Sequence, residues 1–247
     1  MLIMLFLVKL QLLLVHFYHN IGVSFLASKF DGLLGMAWPS ISVDHCPLIF
    51  DLLYKQGQVE GNSFSFYLTK KAGQDGSALV LGGIDSRYAA EDFKYYNLKM
   101  QNYWFLQMED VVFNGTSYKT SSNLGAIIDT GTSVIAGPTK VVEEMTAGFG
   151  PGKQKQVDCS TLPTLPNLEF KFGSDNYVLQ PEDYILQITQ GQQKECIVGI
   201  IGLNLPAQLG EAFILGDSFI KTFYTHFDVE KSRVGFARAK WFDYPDK

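Results

Sequence analysis

The chain has 247 residues, of which 47% are hydrophobic and 14% are aromatic, and it carries a formal net charge of −5. A chain of this length can bury roughly 70–75% of its unfolded surface, which is enough for one core or two coupled cores. The negative net charge, with no block of Lys or Arg, argues against a nucleic-acid-binding protein. The aromatic share, the 23 glycines and the many β-branched runs favour β-sheet.

The first 22 residues do not match the pattern of the rest. Residues 1–15 are almost wholly apolar, interrupted by Lys9 and Gln11, and this run is shorter than the about 20 residues that span a membrane. It resembles the apolar region of a secretory leader but has neither a basic start nor a good cleavage site. Three interpretations stay open: an accidental or alternative start, a signal or anchor, and an additional strand or helix. We expect residues 1–20 to add nothing to the fold, because their backbone has no evident pairing partner.

Short strands dominate the remainder of the chain. Two helices are predicted, over 47–56 and from 138 or 139 to 147, because each has apolar residues at helical spacing and is followed by Gly; a short third is predicted over 217–223. Residues 150–156 are predicted to form a flexible surface loop. The predicted strands are 63–68, 78–81, 93–98, 104–113, 125–128, 168–172, 177–179, 185–188, 196–201, 213–215, 224–228 and 233–237.

Two features of the sequence indicate a secretory route. The three cysteines allow three pairings, and the sequence alone does not choose among them. Asn114-Gly115-Thr116 is an N-glycosylation sequon in a predicted hairpin turn.

The strongest candidate for chemistry is Asp129, in an Asp-Thr-Gly-Thr-Ser run that directly follows the apolar residues 126–128. A turn at this place puts a carboxylate at the end of a strand, where Gly131 permits close backbone approach and the hydroxyls of Thr130 and Thr132 can form local hydrogen bonds. The Asp-Thr-Gly tripeptide occurs once in the chain. No phosphate-binding loop, Gly-x-Ser-x-Gly elbow or zinc-ligand spacing is present, so no cofactor and no metal are predicted.

Several further motifs occur in one order along the chain. They are 30–39 (FDGLLGMAWP), 82–88 (GGIDSRY), 103–104 (YW), 213–220 (FILGDSFI), 227–229 (FDV) and 234–237 (VGFA). With the Asp-Thr-Gly run, they make the sequence from about 23 to about 239 resemble the pepsin-like aspartic endopeptidases.

The resemblance implies an all-β, pepsin-like acid protease fold, mainly the C-terminal lobe with a few short helices. Residues 1–22 are unmatched. Residues 23–98 would be the end of the N-terminal lobe and the interlobe strands, and the C-terminal lobe would begin at about 99. In the family, the first Asp-Thr-Gly and the flap hairpin precede the segment that 30–38 matches. We therefore expect a complementary N-terminal lobe to be needed for activity.

The resemblance also implies a role for each residue of the Asp129 loop. Asp129 would be one of two catalytic carboxylates, and Thr130 would tie its loop to the opposite lobe. Gly131 and Thr132 would hydrogen-bond the carboxylate or the substrate backbone, and Ser133 would line the cleft.

Other roles follow from the same resemblance. Leu215-Gly216 would cross behind the Asp129 loop, Leu34-Gly35 would be the matching half from the other lobe, and Asp217 would have a supporting role. The disulfide would join Cys159 and Cys196, leaving Cys46 as a half-buried free thiol. The residues expected near apolar substrate side chains are Tyr103, Ile127, Ile200, Leu203 and Ile214. For Ile127, Leu203 and Ile214, a purely structural role in the core is an equal alternative.

The sequence therefore predicts an aspartic endopeptidase that cleaves between apolar residues at acid pH, in a lysosomal or secreted setting. Its expected partners are a peptide or protein substrate and the complementary lobe, with no nucleic acid and no metal. The alternative is a catalytically inactive half-lobe or peptide-binding fragment. A symmetric dimer that supplies Asp129 twice is a third route.

Overall fold

A computed structural model describes residues 2–4, 33–70, 75–119, 121–150, 155–190 and 193–242. The α-helices among them are α1 (Ile49–Lys55), α2 (Thr139–Met145), α3 (Pro181–Tyr184) and α4 (Asp217–Ile220). Single turns of 3-10 helix lie at Pro39–Ile41, Val43–His45, Ser86–Tyr88, Ala147–Phe149 and Ala207–Leu209, with a longer one at Cys159–Thr164. The strands are β1 (Leu2–Met4), β2 (Leu33–Gly35), β3 (Ser63–Tyr67), β4 (Ala78–Leu81), β5 (Lys94–Gln101), β6 (Trp104–Gln107), β7 (Asp110–Phe113), β8 (Thr116–Ser117), β9 (Gly125–Ile128), β10 (Ile135–Gly137), β11 (Gln156–Val157), β12 (Leu168–Phe172), β13 (Asp175–Leu179), β14 (Ile185–Gln190), β15 (Gln193–Val198), β16 (Ile200–Gly202), β17 (Ala212–Leu215), β18 (Phe223–Asp228) and β19 (Arg233–Arg238).

The described strands form one large sheet and three smaller ones. The large sheet has ten strands in the order β16-β10-β17-β9-β6-β5-β19-β18-β3-β4. A four-stranded sheet has the order β13-β12-β7-β8, a three-stranded sheet has the order β11-β15-β14, and β1 pairs with β2. The predicted all-β fold with a few short helices is confirmed.

The main core lies where the four-stranded sheet packs against the large sheet and α4. Along β12, Leu168, Phe170 and Phe172 are buried while the residues between them are partly exposed, which is the period of two that a strand with one buried face requires. The Phe170 ring lies 5.9 Å from the Phe219 ring of α4, and the Phe172 ring lies 5.6 Å from the Phe236 ring of β19. Aromatic contacts therefore join the two sheets.

Some predicted elements differ from the structure. The strand predicted over 104–113 is two strands, because the chain leaves the large sheet after β6: Met108 N donates to Leu124 O at 3.0 Å and Glu109 N to Lys171 O at 2.8 Å. The helix α3 was not predicted; it begins with Pro181 and is capped by Asp183 Oδ2 accepting from Gln180 N at 2.9 Å. The strands that were not predicted are β1, β2, β8, β10 and β11, and the strand predicted over 196–201 is divided between β15 and β16. Most of the predicted loop 150–156 lies outside the described residues.

The N-terminal strand corrects one expectation. Residues 2–4 pair antiparallel with Leu33–Gly35, so the prediction that residues 1–20 lack a pairing partner is wrong for these three. Strand pairing uses backbone groups, and an unpaired strand edge accepts any extended neighbour whatever its side chains. The rest of the predicted unmatched segment lies outside the described residues.

The cysteines pair as the resemblance implied. Cys159 and Cys196 form a disulfide with a Cα–Cα distance of 5.4 Å, within the usual range for such bonds. It joins a 3-10 helix to β15. Cys46 is a free, half-buried thiol. No helix within the described ranges is long and apolar enough to cross a membrane.

A buried histidine lies in β18, which has β19 and β3 as its neighbours in the large sheet. His226 of β18 is 7% exposed, and its Nδ1 lies 2.9 Å from the Tyr95 hydroxyl of β5. Its Nε2 is buried and has no hydrogen-bond partner in the described part of the chain. The Arg233 guanidinium stacks 3.9 Å from the centre of the Tyr95 ring, and Arg233 Nε donates to Asp228 Oδ2 at 2.7 Å. Burial lowers the pKa of His226 to about 4; the Asp228 carboxylate opposes this shift and the Arg233 charge adds to it.

Candidate active site

Asp129 lies at the carboxyl end of β9, one of the most deeply buried strands. All four residues of β9 are buried, and β9 lies between β17, which runs parallel to it, and β6. A strand covered on both faces is apolar throughout, which explains the run Gly-Ala-Ile-Ile before the polar turn. Asp129 N continues the pairing by donating to Leu215 O at 3.1 Å. The turn therefore begins from a rigid base.

The Asp129 carboxylate is held by its own loop. Its Oδ1 accepts a hydrogen bond from Gly131 N at 2.9 Å, and its Oδ2 accepts one from the Thr132 hydroxyl at 2.7 Å. Thr132 N also donates to Asp129 O at 3.3 Å. Donors to both oxygens fix the direction of the carboxylate. Gly131 and Thr132 thus contact the carboxylate, one of the two roles expected for them.

Leu215-Gly216 lies directly against the Asp129 loop. Gly216 N donates to Val134 O at 3.2 Å, and Asp217 N donates to Thr132 O at 2.7 Å. A Cβ atom on Gly216 would lie 1.9 Å from Thr132 O and 2.6 Å from Val134 O. Because both clashing atoms are backbone oxygens, no side-chain rotation relieves them. Only Gly permits this close approach, and it fixes the loop from behind.

We expect Gly216→Ala to lower the free energy of unfolding by about 2 kcal/mol, since the added methyl forces the Asp129 loop away from β17. Urea unfolding monitored by tryptophan fluorescence measures this change. The control is Gly148→Ala, because a Cβ at Gly148 meets nothing within 4 Å. Equal unfolding midpoints for the two variants would contradict the close packing of Gly216.

The pKa of Asp217 depends in part on the charge of Asp129. The pKa of Asp217 is raised to about 6, mainly by burial and also by the negative charge of Asp129, while Lys221 opposes the shift. Asp217 is the first residue of α4 and follows the Gly216 crossing directly. The hydroxyl of the next residue, Ser218, donates to Ser133 O at 3.2 Å. The sequence analysis did not single out Ser218, and no motif would have revealed this contact.

We expect Asp217→Asn to stabilise the folded chain at pH 7 by about 1–2 kcal/mol, after allowance for its partial exposure to solvent. The folded pKa lies above the unfolded value of 3.8, so stability is lost as the pH rises from about 4 to about 6, where the unfolded chain releases a proton that the folded chain keeps. This cost disappears as the pH falls below about 4, and the gain should disappear with it. Urea unfolding at pH 7 and pH 4, with the exposed Asp92→Asn as control, measures the difference; a gain that is independent of pH would contradict this account.

The residues expected near the substrate differ in their location and exposure. Tyr103, Ile127 and Ile214 share one small apolar cluster with Phe105 and Ala212, and Ile127 is opposite Ile214 in the β9–β17 pairing. Ile200 is 5% exposed and belongs to the main core. Leu203 is 43% exposed, and its backbone N donates to Gly137 O at 2.7 Å. Ser133 is exposed at the loop.

Thr130 is the one member of the Asp-Thr-Gly tripeptide whose side chain is unsatisfied. Its Oγ1 is buried and has no hydrogen-bond partner among the residues that the structure describes. Buried hydroxyls usually have a partner, because an unsatisfied one costs about 1–3 kcal/mol. The loop therefore satisfies the Asp129 carboxylate but not its neighbouring hydroxyl.

Two cavities lie away from Asp129, around the segment that follows β2. One, of about 420 Å³, is lined by aromatic residues including Trp38, Phe64 and Trp104. The other, of about 620 Å³, is lined by apolar residues of β2 and also by Tyr103. Leu34-Gly35, expected to match the crossing segment of another lobe, lies in β2 and pairs with β1. No group of three or more His, Cys, Asp or Glu in the described ranges is placed to hold a metal.

Comparison with known proteins finds a family model and several relatives that match most of the chain. A family model described as eukaryotic aspartyl protease matches residues 9–239, so the match begins within the segment predicted to be unmatched. Cathepsin D of Clupea harengus is 41% identical over 223 residues, covering 88% of this chain and 56% of the relative. Cathepsin D of Chionodraco hamatus is 42% identical, covering 89% and 57%, and that of Rattus norvegicus is 42% identical, covering 88% and 55%. The chain thus spans little more than half the length of these relatives.

Proposed function

Since the chain belongs to the eukaryotic aspartyl protease family, we propose that it forms one catalytic half of an aspartic endopeptidase that cleaves peptide bonds between apolar residues at acid pH. The observation that carries the proposal is the Asp129 carboxylate, which accepts hydrogen bonds from Gly131 N at 2.9 Å and Thr132 Oγ1 at 2.7 Å. It lies at the end of a buried strand, with the Gly216 crossing behind it.

The proposed chemistry needs a second carboxylate opposite Asp129. Two carboxylates held about 3 Å apart share one proton, because both cannot ionise cheaply. The ionised member takes a proton from a bound water, which attacks the scissile amide carbon, while the protonated member hydrogen-bonds the carbonyl oxygen. Water is the nucleophile in this scheme, so it requires no Ser or Cys nucleophile, no cofactor and no metal.

The substrate would lie along the exposed side of the Asp129 loop. Ser133 would line the cleft, and Gly131 and Thr132 would contact the substrate backbone when they are not bonded to the carboxylate. The cluster that contains Tyr103, Ile127 and Ile214 would receive an apolar side chain. Ile200 and Leu203 are proposed to contact other apolar side chains of the substrate. The partial exposure of Ile214 and Tyr103 supports this assignment.

The proposed partner of the chain is an N-terminal lobe that carries its own Asp-Thr-Gly. Apolar side chains on the surface support it, since they would be covered by a lobe; those more than a third exposed include Leu33, Ile41, Val43, Ile201 and Leu203.

We propose that the protein follows the secretory route and acts in a lysosome or outside the cell. The Cys159–Cys196 disulfide supports this, because such bonds persist in oxidising compartments. The acid optimum expected of the carboxylate pair is consistent with a lysosomal setting.

The alternative function is a peptide-binding half-lobe without catalysis. The single Asp-Thr-Gly in 247 residues favours it, because a groove can hold a peptide with one carboxylate. A statyl-type transition-state mimic separates the two functions. The chain co-refolded with an N-terminal cathepsin D-like lobe should bind the mimic far more tightly than a substrate of the same side chains. Equal affinity for the mimic and the substrate would favour the peptide-binding alternative.

A further inference from the structure

The turn that joins β7 to β8 is one of the most exposed parts of the described structure. Phe113 is opposite Thr116 in the antiparallel pairing, so Asn114 and Gly115 form a two-residue hairpin loop. Their φ angles are +51° and +73°, as a type I′ turn requires at both central positions. Asn and Gly are the residues that adopt this conformation with least strain. The local sequence therefore fixes the turn.

The Asn114 side chain is exposed to solvent. Residues 114–117 are all exposed, and Asn114 makes no side-chain hydrogen bond within the described residues. A Cβ at Gly115 would meet nothing within 4 Å, so the space around the tip of the turn is open. A bulky group on the Asn114 amide would extend into solvent without displacing a packed side chain.

The hairpin lies at the edge of a sheet. β8 is the outer strand of the four-stranded sheet β13-β12-β7-β8. An exposed edge strand offers unpaired backbone groups to other chains, and proteins cover or shorten such edges. β8 has two residues, Thr116 and Ser117. A large polar group attached directly before β8 would shield this edge.

We propose that Asn114 carries an N-linked glycan, which is attached through the sequon Asn114-Gly115-Thr116 and covers the β8 edge. The donor would be an oligosaccharide linked to a polyprenyl diphosphate. The amide nitrogen of Asn114 forms a bond to the anomeric carbon of the sugar and loses one proton, while the bond from that carbon to the diphosphate oxygen breaks and the lipid diphosphate leaves. The Cys159–Cys196 disulfide supports the proposal independently, because it belongs to the oxidising compartments of the secretory route. The 247-residue sequence contains no second Asn-x-Ser/Thr.

The test is cell-free translation of the full chain behind an added secretory leader, in the presence of microsomal vesicles. Protection from added protease identifies chains that have entered the vesicles. The protected wild-type chain is expected to migrate as a single species, heavier by one glycan, and to lose that mass on treatment with a peptide N-glycosidase. Asn114→Gln and Thr116→Ala should abolish the shift, and Thr116→Ser should retain it. The control is Asn176→Gln, an exposed Asn outside any sequon, and it should behave as wild type.

Two results would overturn the proposal. One is a protease-protected wild-type chain whose mass does not change with the glycosidase. The other is a shift that persists in Asn114→Gln. Both readouts are made on chains during translocation, so they do not depend on whether a variant folds.

Discussion

The chain refolded alone is expected to show no peptidase activity at any pH, and the addition of an N-terminal lobe with its own Asp-Thr-Gly is expected to create that activity. The reason is the chemistry of the pair. Asp129 alone cannot share a proton with a partner carboxylate, so no single group both activates water and protonates the carbonyl side. The measurement is cleavage of a fluorogenic peptide with an apolar–apolar bond, from pH 3 to pH 8. The assembled protein should cleave it with an optimum on the acid side.

Two controls are needed to attribute the cleavage to the assembled protein. The lobe alone must be inactive, and the assembled protein must be inhibited by a statyl-type mimic. Acid-dependent cleavage by the single chain in its monomeric form would contradict the half-site account, and would imply that another carboxylate completes the pair. Asp217 would then be the first candidate, because the charge of Asp129 raises its pKa. Cleavage by a dimer of the chain would instead indicate that Asp129 is supplied twice.

Acidification from pH 7.5 to pH 4 is expected to destabilise the fold by about 3 kcal/mol through His226 alone. Its unfolded pKa is 6.5 and its folded pKa is lowered to about 4. Above pH 6.5 both states are neutral at this residue, so it has no effect on stability. Between pH 6.5 and pH 4 the unfolded chain binds a proton that the folded chain does not. Stability is therefore lost as the pH falls through this window.

The surroundings of His226 explain why protonation is unfavourable. A protonated ring needs acceptors for two N–H groups, and Nε2 is buried with no partner in the described structure. Tyr95 is within hydrogen-bonding distance of Nδ1, but its ring also lies beneath the Arg233 cation. Asp228 attracts the proton, yet its Oδ2 already accepts from Arg233. On the other side of β18, Ser65 of β3 is paired with His226 and carries no charge.

The His226→Asn substitution measures how much His226 contributes to the pH dependence of the unfolding free energy. Asn in its place can keep a polar atom near the Tyr95 hydroxyl but cannot bind a proton. The difference in unfolding free energy between wild type and His226→Asn should therefore change by about 3 kcal/mol from pH 7.5 to pH 4, in favour of the variant. His45→Asn, at an exposed position, serves as the matched control. If the two variants show the same dependence on pH, the buried histidine is not the acid-sensitive group.

This acid sensitivity bears on the proposed function. A protein that works at acid pH must offset the loss at His226. A lobe that binds only the folded chain stabilises it by mass action. Assembly would therefore supply both the second carboxylate and the stability that the single chain lacks in acid.

Part of the fold could be predicted from local sequence. β9 and β12 have the predicted bounds, because apolar runs flanked by turn residues define a buried strand. The break between β6 and β7 could not be predicted, because it depends on Met108 and Glu109 turning to partners in two different sheets. The short strand β10 was missed for a similar reason: its three residues form a strand only because β16 and β17 lie on either side.

The candidate site was predictable to a similar degree. Asp129 and its loop were evident from the tripeptide, and the disulfide from the resemblance. The φ of Gly216 is −93°, which any residue can adopt, so its backbone conformation does not require glycine. Glycine is required because a Cβ atom at this position would overlap backbone atoms of the Asp129 loop. The unsatisfied Thr130 hydroxyl and the Ser218 contact depend on how distant segments meet, and no local pattern encodes them. The acid sensitivity of His226 likewise depends on packing across four strands.

If Asp129 is one of two catalytic carboxylates, the assembled protein depends on it for turnover. The decisive measurement compares kcat of the assembled protein, at its acid optimum, with that of the same assembly carrying Asp129→Asn, and with the exposed Asp92→Asn as control. We expect Asp129→Asn to lower kcat by about 10²–10⁴-fold or more while peptide binding is retained, and Asp92→Asn to match wild type. A kcat for Asp129→Asn within a few fold of wild type would contradict the claim.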